Sequence, residues 1–419
     1  MYIHYNQMIC YICGNKTKAI VLPELRLSSN RSNFKNNIRM KKFSFILFLA
    51  LLCSACSDNQ MQDDLVTIDV TASYPEKKLV LQDFMDVEYI PLETTDDILC
   101  AGSVWAVSEH LILATNFNQD GNIFLFDRES GKALRKINHK GQGGEEYTSA
   151  LGFVLDEENN ELYVSDTYAR KIFVYDLEGN FKRRLSWEDD YMFGEIFDFN
   201  QEYLICLNID NPTVRSTESF VLISKQNGHV IEKIQIPFKD KKSIIIRTPA
   251  NDSGMYYAYA PSTSHPLVPY FNNYVLAEYS ADTIYRYTPN GAMEPIIART
   301  PSVQTMNPEV FLFPTMFTDR YYFVEAVEKT MEFKTTDIVY DKQEKNLFTY
   351  KIYNDDYAYE KEAFLKSRPL NSEVPTWQFL DADELVDDFE NGKLKGKLKE
   401  VASRLHEDDN PVIMLIKYK

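Results

Sequence analysis

The sequence predicts an all-β fold: a six-bladed β-propeller with a small C-terminal helical insertion in its last blade. Three observations carry this. A short apolar strand, an aromatic-rich strand, a Gly-ended turn and another strand recur about every 45 residues, a period typical of radial blades. Four copies are clear and a fifth is diverged. One strand-forming run near each end of the folded part stands outside the repeats, as a ring closed by both termini requires.

The repeats are read in order. Asn122-Ile123-Phe124-Leu125-Phe126-Asp127 leads into a turn ending at Gly131. Lys171-Ile172-Phe173-Val174-Tyr175-Asp176 leads to Gly179, Ser219-Phe220-Val221-Leu222-Ile223-Ser224 to Gly228, and Thr283-Ile284-Tyr285-Arg286-Tyr287 to Gly291. Each Gly supplies the positive φ that a tight turn needs. The partner strands upstream are Leu111–Ala114, Leu162–Ser165, Tyr203–Leu207 and Tyr274–Tyr279. Tyr321–Val324 with Asp337–Asp341 forms the diverged unit. Val412–Ile416 then pairs with early strands between Val66 and Leu92 to complete the sixth blade. The charged stretch 383–405 reads as a helix packed on the propeller rim, with Leu394, Leu398, Val401, Ala402 and Leu405 on one face.

Ahead of the repeats lies a different kind of segment. Lys41 and Lys42 precede the apolar run Phe43–Leu52, which ends in Cys53-Ser54-Ala55-Cys56. Two lysines, about ten apolar residues and small residues before a cysteine form a secretory signal with a lipoprotein-type processing site. The run is too short to span a bilayer, which takes about 20 residues. Residues 40–55 therefore read as a cleaved signal, with Cys56 as the lipid-bearing first residue of the mature chain. Residues 1–39 read as a disordered upstream extension, 56–65 as an acidic tether and 66–419 as the propeller, its helical segment at 383–405 and closing strand at 411–418. Cys10 and Cys13 have half a zinc-site spacing, but no second pair follows.

Charge narrows the partners. The chain has 45 basic and 62 acidic residues, of which eight basic and one acidic precede Cys56. The mature chain is left with 37 and 61, a net charge of −24. Such a surface repels phosphate backbones and anionic lipid headgroups, so nucleic acid is excluded as a partner and membrane contact falls to the lipid on Cys56. Cys100 and Cys206 sit in apolar strand-like runs and read as reduced buried thiols.

The whole of 56–419 resembles a family: the six-bladed, NHL-like β-propeller lipoproteins abundant in gut Bacteroides-type bacteria. The resemblance is carried by Tyr89-Ile90-Pro91-Leu92-Glu93-Thr94, by Lys140-Gly141-Gln142-Gly143-Gly144-Glu145-Glu146-Tyr147, by Asp282-Thr283-Ile284-Tyr285 and by Asp409-Asn410-Pro411-Val412. The family usually has a Pro in the Gly-rich joint; Gly144 takes that place here, which implies a looser loop. The resemblance implies fold and an envelope location, while Ser57 and Asp58 after Cys56 fit outer-membrane sorting, on the periplasmic or cell-surface side. It implies no reaction.

Motifs for chemistry are sparse. Gly141–Gly144 lacks the Gly-Lys-Ser/Thr ending of a phosphate loop, and Glu145 and Glu146 would repel phosphate, so it reads as a blade-to-blade turn. The histidines are scattered, without a His-Glu-x-x-His or His-x-His pair, and no Gly-x-Ser-x-Gly elbow occurs. Asp355-Asp356, Asp387-Asp388 and Asp408-Asp409 lack EF-hand spacing and read as solvated turns. The reading therefore assigns no catalytic residue, metal or cofactor.

The best binding candidate is the long, Pro-punctuated, aromatic segment Arg247 to Tyr274, between the third and fourth blades. Arg247, Tyr256, Tyr257, Tyr259, His265 and Tyr270 are its candidate ligand-binding residues, since Tyr offers a flat apolar face with a polar tip. The competing reading makes these tyrosines core residues of the fourth blade. The function expected is a non-catalytic binding or scaffold module for a glycan, a peptide or an envelope protein. The rival is a channel-site lyase or hydrolase acting on an oligosaccharide or lactone. An enzyme calls for three or more ionisable groups converging at a channel mouth; a scaffold calls for a plugged channel and exposed aromatics on loops.

Overall fold

Alternation along each strand decides the architecture. In blade 2, Leu162 and Val164 pack with blade 1 residues such as Leu113 and Leu125, whereas Tyr163 between them packs with Phe193, Ile196 and Cys206 of blade 3. Both faces of such a sheet are buried, so its inner strands read as continuous apolar runs; Glu161–Asp166 is buried throughout. The outermost strand, Phe181–Leu185, alternates instead, because one side meets solvent.

The computed structural model describes residues 9–11, 65–187, 191–209, 218–249, 256–261 and 264–419. Cys56, the signal at 40–55 and nearly all of 1–39 lie outside the described residues. Blades 1 to 3 are antiparallel four-stranded sheets. They comprise Gly102–Val107, Leu111–Asn116, Ile123–Asp127 and Ala133–Ile137; then Gly152–Asp156, Glu161–Asp166, Lys171–Tyr175 and Phe181–Leu185; then Phe193–Asp198, Tyr203–Asn208, Phe220–Ser224 and Val230–Ile234. Blade 4 begins at Leu267–Tyr270 and ends at Met293–Thr300; blade 5 runs from Val310–Phe317 to Asn346–Tyr353. Six apolar clusters fill the six gaps between neighbouring blades, including the gap between blades 6 and 1, where Trp377, Ile413 and Leu415 meet Val104, Ile112 and Phe124. The ring is closed.

The expected Gly-ended turns are present, with φ between +71° and +91° at Gly131, Gly179, Gly228 and Gly291. At Gly131 a side chain would also strike the carbonyl of Pro91 on blade 6, so this turn doubles as a blade-to-blade contact. The Gly-rich joint is not loose. Gly143 N–H donates to the Glu146 carboxylate at 2.7 Å, Gly141 N–H donates to the Tyr147 carbonyl, and Tyr147 is fully buried. Cys100 and Cys206 are buried free thiols, and burial pushes Cys100 up to about 12.

Two expectations are corrected. The early strands do not all complete blade 6. Val66–Asp69 runs parallel to Met293–Thr300 as a fifth strand of blade 4, and Glu76–Val80 runs parallel to Asn346–Tyr353 as a fifth strand of blade 5. Only Met85–Pro91 joins blade 6, outside Val412–Tyr418, which pairs in turn with Thr376–Leu380. The N-terminal segment is thus a belt over three blades, and it covers edges that would otherwise stay unpaired. The helical segment is two helices, Ala382–Glu390 and Gly396–Ala402. Gly392 at φ +67° stops the first, and Leu394 makes a β-bridge with Tyr357 before the second. Leu385, Leu398 and Ala402 pack on the belt residues Leu81 and Tyr89.

Among the described residues, blade 6 has three strands. The irregular segment before Thr376–Leu380 reaches further in, where Arg368 and Asn371 bond to first-strand carbonyls of blades 1 and 3.

Charge also locks a blade. Burial alone would raise the Glu161 carboxyl, but Arg183 Nη1 and Nη2 (2.5 and 2.7 Å), Lys182 and the Tyr163 hydroxyl outweigh it and bring it down to about 2. Its folded-state value lies below its unfolded one, so its stabilisation is present above about pH 4.5 and is lost as pH falls toward 2. Glu161→Gln is expected to flatten the loss of urea stability between pH 4.5 and 2 while leaving the curve above pH 6 nearly parallel. Ile68→Ala, in the belt and fully buried, is expected to cost about 2–4 kcal/mol, seen as a lower urea midpoint at unchanged slope.

Candidate functional site

The irregular segment between blades 5 and 6 runs down the axis of the ring. Lys366 Nζ meets Glu325 at 2.6 Å and Asp337 at 2.7 Å, both on blade 5. Arg368 Nη1 donates to the Trp105 carbonyl of blade 1 (3.0 Å) and Nη2 to the Ile196 carbonyl of blade 3 (3.0 Å). Its guanidinium lies 5.1 Å from the Trp105 ring and 4.3 Å from Phe197. Asn371 Nδ2 donates to the Val107 carbonyl at 2.7 Å, and Trp377 Nε1 donates to the Arg368 carbonyl. One side chain therefore bridges inner strands two blades apart, across the axis of the ring.

Arg368 is the residue type this position requires. A planar fork reaches two carbonyls at once while its faces stack on rings, and it stays charged when buried. Burial pulls the guanidinium down to about 10, with Glu195 acting in the opposite sense, so the cation persists at neutral pH.

Two clefts flank this plug. On one rim, where the first strands begin and the second strands end, a cleft of about 500 Å³ spans blades 1 to 3. Trp105, Phe117 and Tyr168 line it, with Ser103, Gln119 and Thr167. Phe117 is 72% exposed and Tyr168 50%. Across the opposite rim, a cleft of about 510 Å³ lies over Asn371 and Ser372. It contains Lys225, whose Nζ meets Asp156 at 2.7 Å and Asp198 at 2.9 Å. Lys225 is buried, so its ammonium is spent on the two carboxylates. Among the described residues, no three His, Cys, Asp or Glu side chains converge to hold a metal.

The sequence-predicted residues separate into groups. Arg247, Tyr256, Tyr257 and Tyr259 share one hairpin outside the six blade sheets, Ile246–Pro249 paired with Tyr256–Tyr259, to which the short strand Ile9–Tyr11 adds. Arg247 is exposed; Tyr257 and Tyr259 are half-buried. His265 stands at the entry to blade 4 and its Nδ1 lies 2.8 Å from Glu195 of blade 3. Tyr270 is a core residue of blade 4, buried with its ring 5.7 Å from Phe317, as the competing reading held. Sequence reasoning missed Trp105, Phe117, Tyr168 and Arg368. A signal existed for two of them: Phe117 and Tyr168 each follow the second strand of consecutive repeats by one or two residues, where a loop would otherwise be polar.

The chain's relatives are consistent with this fold. A family model described as "Domain of unknown function (DUF4934)" matches residues 65–417, and the chain belongs to that family. No curated protein matches the sequence significantly. Among solved structures, a Bacteroides fragilis protein described as exported is similar with a TM-score of 0.57 at 17% identity, over 82% of this chain and 99% of that one. A DUF4221-family protein of Bacteroides vulgatus aligns over 81% of this chain and all of that one at 11% identity, with a TM-score of 0.43. Virginiamycin B lyase of Staphylococcus aureus aligns over 60% of this chain and 88% of that one at 10% identity, with a TM-score of 0.31. The first likeness shows the fold; the other two are too distant to support any argument.

Arg368→Ala is expected to lower stability by about 3 kcal/mol, because it strands two buried carbonyls and unstacks two rings. Arg368→Lys keeps a charge but not the fork, and is expected to recover less than half of the loss in the same urea titration.

Proposed function

We propose that this DUF4934 protein is a lipid-anchored envelope propeller that works as a non-catalytic binding or scaffold module, holding a glycan, a peptide or an envelope protein at the rim of its ring. The observation that carries the reading is the axial plug. Lys366, Arg368 and Asn371 tie the chain to blades 5, 1 and 3, and so occupy the space where a channel-site enzyme would hold its substrate. Exposed aromatics lie instead on rim loops.

Location rests on the sequence. Lys41-Lys42, the apolar run and Cys56 supply export and a lipid anchor, and the acidic mature chain leaves membrane contact to that lipid. Among the described residues, no helix is long and apolar enough to cross a membrane. The similarity to an exported Bacteroides fragilis protein agrees with this placing.

The Asp156–Lys225–Asp198 trio favours a second reading, since three ionisable groups do meet at one channel mouth. In that reading the trio serves a lyase or hydrolase. Turnover of an oligosaccharide or lactone by the purified protein, lost on Asp198→Asn, would carry it and displace the binding reading.

Fractionation tests the anchor. The unaltered protein is expected in the outer-membrane fraction, and Cys56→Ser in the soluble fraction with the same folded ellipticity. Equal distribution of the two would remove the lipid from the account.

A further inference from the structure

We infer that the cleft over blades 1 to 3 is a binding site for a neutral oligosaccharide, stacked on Trp105 and Phe117 and hydrogen-bonded by Gln119 and Ser103. The inference rests on the binding-module reading and goes beyond it by fixing the place and the class of ligand.

The aromatic wall is built, not incidental. Trp105 is held at three points: its Nε1 donates to Thr115 Oγ1 at 2.8 Å, its ring lies 5.1 Å from Phe153, and the Arg368 guanidinium lies at the same distance. A ring fixed before binding loses little freedom when a ligand stacks on it. Phe117, in contrast, spends its apolar surface on solvent although the neighbouring strand buries Ile112, Leu113 and Ala114 completely. An exposed ring of that size beside a rigid one suits a ligand with flat apolar faces.

The polar groups set the charge of the ligand. Asp120 is the carboxylate of this cleft, and it is held in place: Asn116 Nδ2, Asn122 N–H and Asn122 Nδ2 donate to it at 2.8–2.9 Å. Lys140 Nζ is held at 2.6 Å by the Gln119 carbonyl. With one carboxylate and one ammonium the lining carries no net charge, so it favours a ligand without one. The side-chain amide of Gln119 and the hydroxyl of Ser103 bond no protein group among the described residues, so neutral donors and acceptors are what the cleft offers. The acidic mature chain adds a field that repels uronic or sulfated sugars.

An extended peptide is disfavoured by the plug. A peptide entering the ring would add to the free edge of an inner strand. The carbonyls of Trp105, Val107 and Ile196 on those edges already accept from Arg368 and Asn371. The cleft's volume, about 500 Å³, is within the usual range for a small-molecule site.

The test is binding of the purified full chain to three arrays: neutral hexose oligosaccharides, the same backbones carrying uronate or sulfate, and extended peptides. Neutral oligosaccharides are expected to bind. Phe117→Ala and Gln119→Ala are each expected to weaken that binding about tenfold, while Leu134→Ala, an exposed apolar residue on the outer strand of the same blade, leaves it unchanged. Equal binding by Phe117→Ala, or a preference for the acidic sugars, would overturn the site. Capture of peptides alone would overturn the sugar assignment and leave the binding-module reading standing. Chemical turnover of the neutral sugars would overturn the reading itself.

Discussion

Every blade of this protein must be covered on both faces, and that single requirement organises the molecule. A four-stranded sheet such as blade 2 puts Leu162 and Val164 on one side and Tyr163 on the other, all fully buried. Removing either neighbour would expose a face of about half a dozen large apolar side chains, at about 1.5–3 kcal/mol each. A ring is the arrangement in which no sheet lacks a neighbour. Its weak point is the seam where the chain ends meet. Here the seam is reinforced by the belt, which threads Ile68 into blade 4, Leu79 into blade 5 and Ile90 into blade 6 before blade 1 begins.

The plug follows from the same requirement. Blade 6 contributes three strands, so its inner place is filled by irregular chain. The inner strands present unpaired carbonyls to the axis, and long polar side chains of the irregular segment supply the missing partners. Arg368 satisfies carbonyls on blades 1 and 3 at once, and Lys366 answers the buried Glu325. The result is a hub held by hydrogen bonds and ion pairs inside a ring held by apolar contact. The exposed aromatics Phe117 and Tyr168 lie instead just beyond strand ends, in loops of blades 1 and 2.

Much of the ring was legible in the sequence because it is local. The period of about 45 residues, the alternation and the glycines at 131, 179, 228 and 291 depend on neighbours in the chain. The belt was not legible. Val66–Asp69 and Glu76–Val80 look like strands, but which sheet they join is settled by contacts more than 200 residues away. Nor was the break at Gly392 read, although its positive φ splits the stretch 383–405 into two helices. The candidate site was only partly legible. Tyr257 and Tyr259 were found because they crowd one segment, and Tyr270 was drawn in by the same crowding although blade 4 needs it for its core. Trp105 and Arg368 were missed because neither belongs to a motif; they lie 263 positions apart and meet only across the closed ring.

Amide hydrogen exchange of the segment around Arg368 tests the account most directly. If the segment fills the axis of a closed ring, the peptide spanning residues 364–374 exchanges no faster than the inner blade strands and opens only with global unfolding. Exchange of that peptide at the rate of unstructured chain, with the blade strands still protected, would show an open channel and contradict the account.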